Sequence, residues 1–351
     1  MASNPFTITF GKTPGNYISR DIISNEIIEC FSSDTPFTQT YILTGLRGMG
    51  KTVTMSSVAN HFKSQTDWIV IDLNPSRDLL DSLGAKLYRA IRSSSYEIDE
   101  INPSAFGFSL GSIRKKEDPL FDIELLIDEL LEEVRKKQKK VLITIDEVSN
   151  TAQIKSFALS FQGMLRNDYP VFLLMTGLYQ NIADVQNDKI LTFLYRAKKI
   201  NLETLNLSLI KNSYRDIFHL SNDKAHEMAA LTNGYPFAYQ VLGYLVWTNP
   251  DKSLSELMNQ YDSYLSSNVY EKLWQESSGQ DKDFLIAMSK VPGKTKKASD
   301  IMNHSKMSTK TYSVYRDRLL KKGLITSVKY GEIRFTLPRF TEFIESKLEF
   351  E

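Results

Sequence analysis

The residues Gly45-Leu46-Arg47-Gly48-Met49-Gly50-Lys51-Thr52 satisfy the pattern G-x-x-x-x-G-K-[ST] at every position. Their types suit one kind of chemistry, the gripping of phosphate oxygens. Glycines let successive backbone N–H groups converge on an anion with no Cβ in the way, and they accept positive φ. A helix opening at Gly50 aims its unpaired N–H groups and positive dipole end at the same oxygens. In that arrangement Lys51 bridges the β- and γ-phosphates of a nucleoside triphosphate and the Thr52 hydroxyl ligates Mg2+. Arg47 is not required by the pattern. It reads either as a solvated charge or as an extra phosphate contact.

Asp146 and Glu147 extend the chemistry from binding to turnover. They close the apolar run Val141-Leu142-Ile143-Thr144-Ile145, 95 positions after Lys51. A carboxylate at a strand tip can hold the hydration shell of Mg2+, and the next one can polarise an attacking water. Alone the pair could equally be a solvated strand end; behind a complete phosphate loop it has the Walker B arrangement. Thr176 ends another apolar run, Val171 to Met175. It is either a polar sensor for the γ-phosphate or water, or a hydroxyl that caps a turn.

These residues need a scaffold, and the flanking sequence supplies one. Thr40–Thr44 is β-branched and apolar, and Thr52–Phe62 has no internal Gly or Pro, so the loop lies between a strand and a helix. A strand over Asp67–Leu73 follows, then a helix from Asp78 to Ser93 with Leu79, Leu80, Leu83, Leu87 and Ile91 on one face. Residues 94–116 read as irregular, with a strand or hairpin over Phe106–Gly111, and Pro119 is expected to open a helix to Lys137. A helix over Ala152–Leu165 separates the last two apolar strands. Alternation of this kind predicts an α/β fold, a parallel sheet with helices on both faces and its ligand at the carboxyl ends of the strands. From Leu205 to Asn268 the pattern is helical, broken at Asn233-Gly234-Tyr235-Pro236 and at Asn249-Pro250.

The C-terminal part differs in charge. The chain carries a net +1, yet Lys290–Arg339 holds 13 Lys and Arg against three acids, leaving the remainder at −9. Helices are predicted over Asp281–Ser289, Ala298–Asn303 and Thr309–Lys322, the last with Ser308 as N-cap and Gly323 as stop. Two strands about Gly331 complete a winged helix-turn-helix. If it reads DNA, Lys310, Thr311, Ser313 and Arg316 lie on the outward face of the third helix, with Lys329 and Arg334 on the wing. The same module also serves as a dimer or partner surface in other proteins. The expected division is therefore 1–202 for the α/β part, 203–270 for a helical lid and 271–351 for the winged helix.

Bulk composition narrows the class. Hydrophobic residues make up 42% and charged residues 24% of 351, ordinary for a globular protein that buries more than one core. One cysteine, Cys30, excludes an internal disulfide framework and fits a reducing cytoplasm. The N-terminal residues lack a basic stretch followed by an apolar core, and no apolar run reaches the ~18 residues of a membrane span, so neither secretion nor membrane insertion is expected. The four histidines are scattered and acquire no role.

Together these motifs resemble the AAA+/STAND-like P-loop ATPases of the archaeal-ATPase and origin-recognition type. Gly45 to Val53 looks like their phosphate loop, which often carries the arginine seen at Arg47, and Ile143–Glu147 looks like their Walker B strand. The resemblance implies ATP as the nucleotide, with Mg2+. It also implies that Arg196, within Leu194-Tyr195-Arg196-Ala197, senses the γ-phosphate, sometimes from a neighbouring subunit of an oligomer. Pro236 of Gly234-Tyr235-Pro236 would lie near the base. Two features depart from the family. Tyr17-Ile18-Ser19-Arg20-Asp21 replaces the usual Gly-Arg-Glu, and the segment Phe237–Trp247 has no arginine to serve as sensor 2. The resemblance thus points to a STAND-like switch or mobile-element ATPase with DNA as the expected partner, more than to a replication initiator. A nucleotide-held scaffold with a protein partner is the alternative. A small-molecule kinase suits the loop but not the Asp-Glu pair, the lid or the wing.

Overall fold

The computed structural model describes residues 3–9, 14–93, 122–188, 191–305 and 307–350. The chain forms two compact units, one of Arg20–Thr44 with Thr54–Asn201, the other of Met1–Ser19, Gly45–Val53 and Leu202–Glu351. The hairpin expected over Phe106–Gly111 and the helix start at Pro119 lie outside the described residues.

The first unit is built on the expected alternation. In chain order come α1 (Asp21–Ser32), β1 (Thr40–Thr44), α2 (Lys51–Lys63, of which Thr54 onward belongs here), β2 (Trp68–Leu73) and α3 (Leu79–Ser93). Then follow α4 (Ile123–Lys136), β3 (Lys140–Ile145), α5 (Ala152–Arg166), β4 (Val171–Gly177), α6 (Tyr179–Gln186) and β5 (Lys198–Asn201). The five strands are all parallel, in the order β2-β3-β4-β1-β5. Side-chain alternation splits the sheet between two helical layers. Ile42, Ile69, Ile143 and Leu173 share a core with leucines of α3 and α4 and with Phe157 and Phe161 of α5. On the opposite face Phe31 of α1 packs on Tyr41 and Phe172, and Phe62 of α2 packs on Trp68 at 4.1 Å between ring centroids. Burial on both faces is why β1, β3 and β4 read as unbroken apolar runs.

Local chemistry sets the ends. Asp122 caps α4 by accepting from the Glu124 N–H, so that helix starts at Ile123, and Thr151 caps α5 through the Ile154 N–H. Of the leucines on α4, Leu126, Leu130 and Leu131 are buried while Leu125 is exposed. The sequence reading did not resolve α1, α6 or the short edge strand β5.

The second unit is mainly helical: α7 (Leu207–Phe218), α8 (Asn222–Thr232), α9 (Pro236–Thr248), α10 (Leu254–Leu265) and α11 (Glu271–Gln275), the last two joined through a π-turn. It continues with α12 (Gly279–Ser289), β6 (Lys296–Lys297), α13 (Ala298–Ser305), α14 (Thr309–Lys322), β7 (Ile325–Lys329), β8 (Glu332–Phe335) and α15 (Phe340–Phe350). Strands β6, β8 and β7 form a small antiparallel sheet, giving α12–β8 the element order of a winged helix-turn-helix. Ser308 accepts from the Thr311 N–H and Gly323 turns left-handed, so α14 has the bounds its sequence specifies. The sequence reading missed β6 and α15, as well as the break at His219, which also turns left-handed.

Hydrogen bonds and an ion pair join the segment 203–270 to the C-terminal elements within this unit. Asn233 donates from Nδ2 to the carbonyls of Phe335 and Thr336 at 3.0 and 2.9 Å. Tyr270 donates to the Pro338 carbonyl at 2.6 Å. Arg339 forms a two-pronged pair with Asp262. The N-terminal segment is fastened to the same helices. Phe6 stacks on Phe218 and lies where a Cβ on Gly243 would be, and the Thr7 N–H donates to Gln240 Oε1 at 3.0 Å.

Candidate functional site

The parallel sheet puts three functional strand tips at one edge. Thr44 pairs in register with Gly177, and Leu43 with Thr176, while β4 is flanked on its other side by β3, which ends just before Asp146. Asp146, Glu147 and Thr176 are brought together there. The Thr176 hydroxyl donates to Asp146 Oδ1, and the Glu147 N–H lies 3.2 Å from Thr176 Oγ1 and 3.1 Å from Asp146 Oδ1. Thr176 itself is fully buried, so its hydroxyl has a fixed direction. The Val148 N–H donates to the Thr176 carbonyl at 2.8 Å, closing the turn.

Glu147 has φ of 56°, a left-handed conformation uncommon for a residue with a Cβ. The surrounding hydrogen bonds hold it there, and its side chain is exposed. A carboxylate presented outward beside one that is tied down is an arrangement able to orient water.

The phosphate loop, which leaves β1 after Thr44, belongs to the helical unit by its packing. Lys51 is buried, and its ammonium donates to the carbonyls of Gly45 and Leu46 at 3.0 and 2.9 Å. The Met49 N–H turns back on the Leu46 carbonyl at 3.3 Å. Gly48 has φ of 75°, and a Cβ there would lie 2.3 Å from the Tyr235 hydroxyl oxygen and 2.9 Å from Phe237 Cβ. Glycine is required at that position both by conformation and by space. The Tyr235 hydroxyl donates to the Arg47 carbonyl at 2.5 Å. Leu46 is buried, with Gly323, the C-cap of α14, among its neighbours.

Thr52 and Val53 follow Lys51 in the first turn of α2, and Pro236 is the first residue of α9. Arg196 closes a short 3-10 turn, Thr192–Arg196, and is exposed. Among the described residues no three His, Cys, Asp or Glu side chains gather to hold a metal unaided. A Mg2+ ion held by one or two protein oxygens and by phosphate needs no such cluster.

In the C-terminal module Lys310 and Ser313 are exposed, Thr311 and Arg316 half-buried. Arg316 pairs with Asp317 at 3.1 Å and Lys329 with Glu332 at 3.2 Å; Arg334 is half-buried on β8. Other cations work inward. Asp281, fully buried, accepts from Lys322 at 2.8 Å and lies 3.4 Å from Arg318. Burial pushes the Asp281 carboxyl up, but the Lys322 and Ser278 hydrogen bonds outweigh it, so its pKa lies below the usual value. Lys296 is buried on the carbonyls of Val291 and Gly293. The wing exposes two apolar residues, Val328 and Tyr330.

A parallel sheet covered on both faces, a phosphate loop after β1 and an acidic pair after β3 together give the P-loop ATPase fold. Solved structures agree. The chain is similar to the Walker-type ATPase of Pyrococcus abyssi, with a TM-score of 0.63 at 15% identity over 93% of this chain and 95% of that one. It is similar to the ORC2 protein of Aeropyrum pernix, solved in ADPNP and ADP complexes, with a TM-score of 0.58 at 12% identity over 97% and 96% of the two chains. Cdc6p from Pyrobaculum aerophilum gives 0.50 at 15% identity over 97% and 96%. At such identities the likeness establishes the fold. Residues 267–344 match a family described as a domain of unknown function, DUF8462. No curated protein matches the chain in sequence. Among the described residues no helix is long and apolar enough to cross a membrane.

Proposed function

We propose that the protein is an ATP-binding and ATP-hydrolysing switch whose C-terminal winged helix contacts duplex DNA. One observation carries this reading: a complete phosphate loop at the end of a buried parallel strand, with the Lys51 ammonium held among loop carbonyls and Gly48 in the left-handed region. That is a nest whose positive groups are already collected. The residues fit the nucleotide and its metal as follows. The backbone of Gly45–Val53 would cradle the phosphates, and Lys51 would exchange its two carbonyl partners for phosphate oxygens. Thr52, and Asp146 through water, would hold Mg2+, which when bound neutralises charge on the phosphates. Glu147 orients the attacking water and takes its proton. Thr176, by fixing the Asp146 carboxylate, keeps that oxygen aimed. Arg196 would act on the γ-phosphate in cis or from a neighbouring copy, and Pro236 would lie by the base. ATP, in preference to GTP, is what the sequence resemblance to P-loop ATPases supports.

For DNA, Lys310, Thr311 and Ser313 at the start of α14 are the candidate groove contacts, with Arg316, Lys329 and Arg334 beside them. The fate of the cations supports a second reading. Arg318, Lys322 and Lys296 serve internal bonds, which leaves the module less basic outward than its composition suggests, and Val328 and Tyr330 offer apolar surface. A nucleotide-regulated scaffold that docks a protein partner would use such a surface.

Steady-state ATP hydrolysis by the purified protein, with and without duplex DNA, tests the first reading. Stimulation by DNA ties the module to the nucleotide. A slow rate indifferent to DNA, with salt-insensitive behaviour of the module, supports the second.

A further inference from the structure

Tyr235 has no catalytic group to offer, yet from outside the loop its hydroxyl bonds the loop's backbone at the Arg47 carbonyl. Its ring is fully buried and packs edge-on against Phe237. Its mounting is rigid. Asn233 and Gly234 both turn left-handed, and a Cβ on Gly234 would lie 2.5 Å from the Leu205 carbonyl oxygen. The Leu205 N–H donates to the Gly234 carbonyl at 2.7 Å, and the Tyr235 N–H to the Thr232 carbonyl at 2.8 Å. Asn233 is tied in turn to the carbonyls of Phe335 and Thr336. Tyr235 then caps α9 just before Pro236, so its side chain leaves a turn that cannot easily shift.

The bond it makes sets the orientation of one peptide. No cis peptides occur among the described residues, so the Arg47 carbonyl and the Gly48 N–H point in opposite directions. Holding the carbonyl on the Tyr235 hydroxyl turns the Gly48 N–H away from the lid. Gly48, with φ of 75° and no space for a side chain against Tyr235, is the residue for which that peptide would otherwise be freest to rotate. Burial pushes the Tyr235 phenol far above its ordinary pKa, so it remains a donor throughout the working pH range.

We infer that Tyr235 is a positioning residue for the phosphate nest: its hydroxyl fixes the Arg47–Gly48 peptide so that the Gly48 N–H faces the bound phosphates. This rests on the loop binding nucleotide as proposed above. It adds a determinant of phosphate affinity on the lid, 188 positions away in sequence. Lid movement and nucleotide affinity are then linked through one hydrogen bond.

The test compares two hydroxyl deletions. Tyr235→Phe removes the bond to Arg47, and Tyr270→Phe removes a chemically matched bond to the Pro338 carbonyl in the same unit. The full-length proteins are titrated with Mg2+-ATP and with ADP, melted without nucleotide and assayed at steady state. Tyr235→Phe is expected to weaken both nucleotides by about three- to tenfold, to raise KM alike and to leave kcat at saturation near wild type. Tyr270→Phe is expected to shift the melting temperature only. If wild type binds and Tyr235→Phe stays within twofold of it, the inference is overturned alone. Equal weakening by both variants, tracking their melting temperatures, makes the role structural and overturns it as well. If wild type binds neither nucleotide, the function falls first and takes the inference with it.

Discussion

The acidic strand tip and the phosphate loop are fixed by different means. Asp146 and Glu147 are held by Thr176 on the adjoining strand of the same sheet, one residue beyond the paired Ile145 and Met175. The loop is held by its own lysine and by Tyr235, whose position depends on the turn between two lid helices. One set of groups takes its geometry from the parallel sheet, the other from packing in a separate unit. Binding and turnover should therefore respond to different perturbations.

The sharpest break is expected at Lys51. Lys51→Ala removes the charge proposed to answer the phosphates and leaves the carbonyls of Gly45 and Leu46 without that partner. Binding of Mg2+-ATP should be lost to equilibrium titration, while the sheet unit keeps its fold and far-UV circular dichroism stays close to wild type. Affinity within tenfold of wild type would remove the central claim.

At the other region the expected result is the reverse. Glu147→Gln keeps the size of a side chain that faces outward but removes the proposed base. Single-turnover hydrolysis should fall by about 10²–10⁴-fold, with ATP affinity near wild type. A rate within threefold would move the base elsewhere. A large loss of affinity would show that the two regions are not separable in the way their supports suggest.

A third variant weakens the unit that carries the loop without touching the loop. Asp281→Asn leaves Lys322 and Arg318 facing a neutral group at a fully buried position. The cost is expected to be about 2–3 kcal/mol near neutral pH, less than for a wholly buried triad because Arg318 is half exposed. The sign with pH follows from the depressed folded pKa. The carboxylate's contribution is complete above its ordinary value of 3.8 and is lost as pH falls through the lower folded value. The gap between wild type and variant in denaturant melts should therefore close under acid. A gap that does not narrow at all as the pH is lowered below 3.8 would assign the stability to shape instead of charge.

How much of this was legible follows the same contrast. The loop, the acidic pair and strands β1, β3 and β4 could be read from the sequence because their burial on both faces leaves continuous apolar runs. α14 could be read to the residue because Ser308 and Gly323 mark its ends. What escaped notice lacks a local signal. β5 alternates at the edge of the sheet, and β6 has only two residues. Asp281 and Tyr235 gain their importance from partners 41 and 188 positions away, which no spacing rule connects. Composition likewise counts the buried Lys296 and the partly buried Lys322 alike with the exposed Lys310.

That last distinction gives the smallest effect and the finest test. Lys310 is exposed at the start of α14, whereas Lys322 lies at its other end against Asp281. If the module binds duplex DNA, Lys310→Ala should weaken binding modestly at low salt. It should also reduce the slope of log affinity against log salt by about one, as expected for one lost phosphate contact. Lys322→Ala should leave the slope unchanged and lower the melting temperature. Slopes equal to that of wild type for both variants would mean that neither lysine meets phosphate. Were wild type itself to show no salt-dependent DNA binding, the exposed Val328 and Tyr330 would become the better guide, and the partner would be sought among proteins.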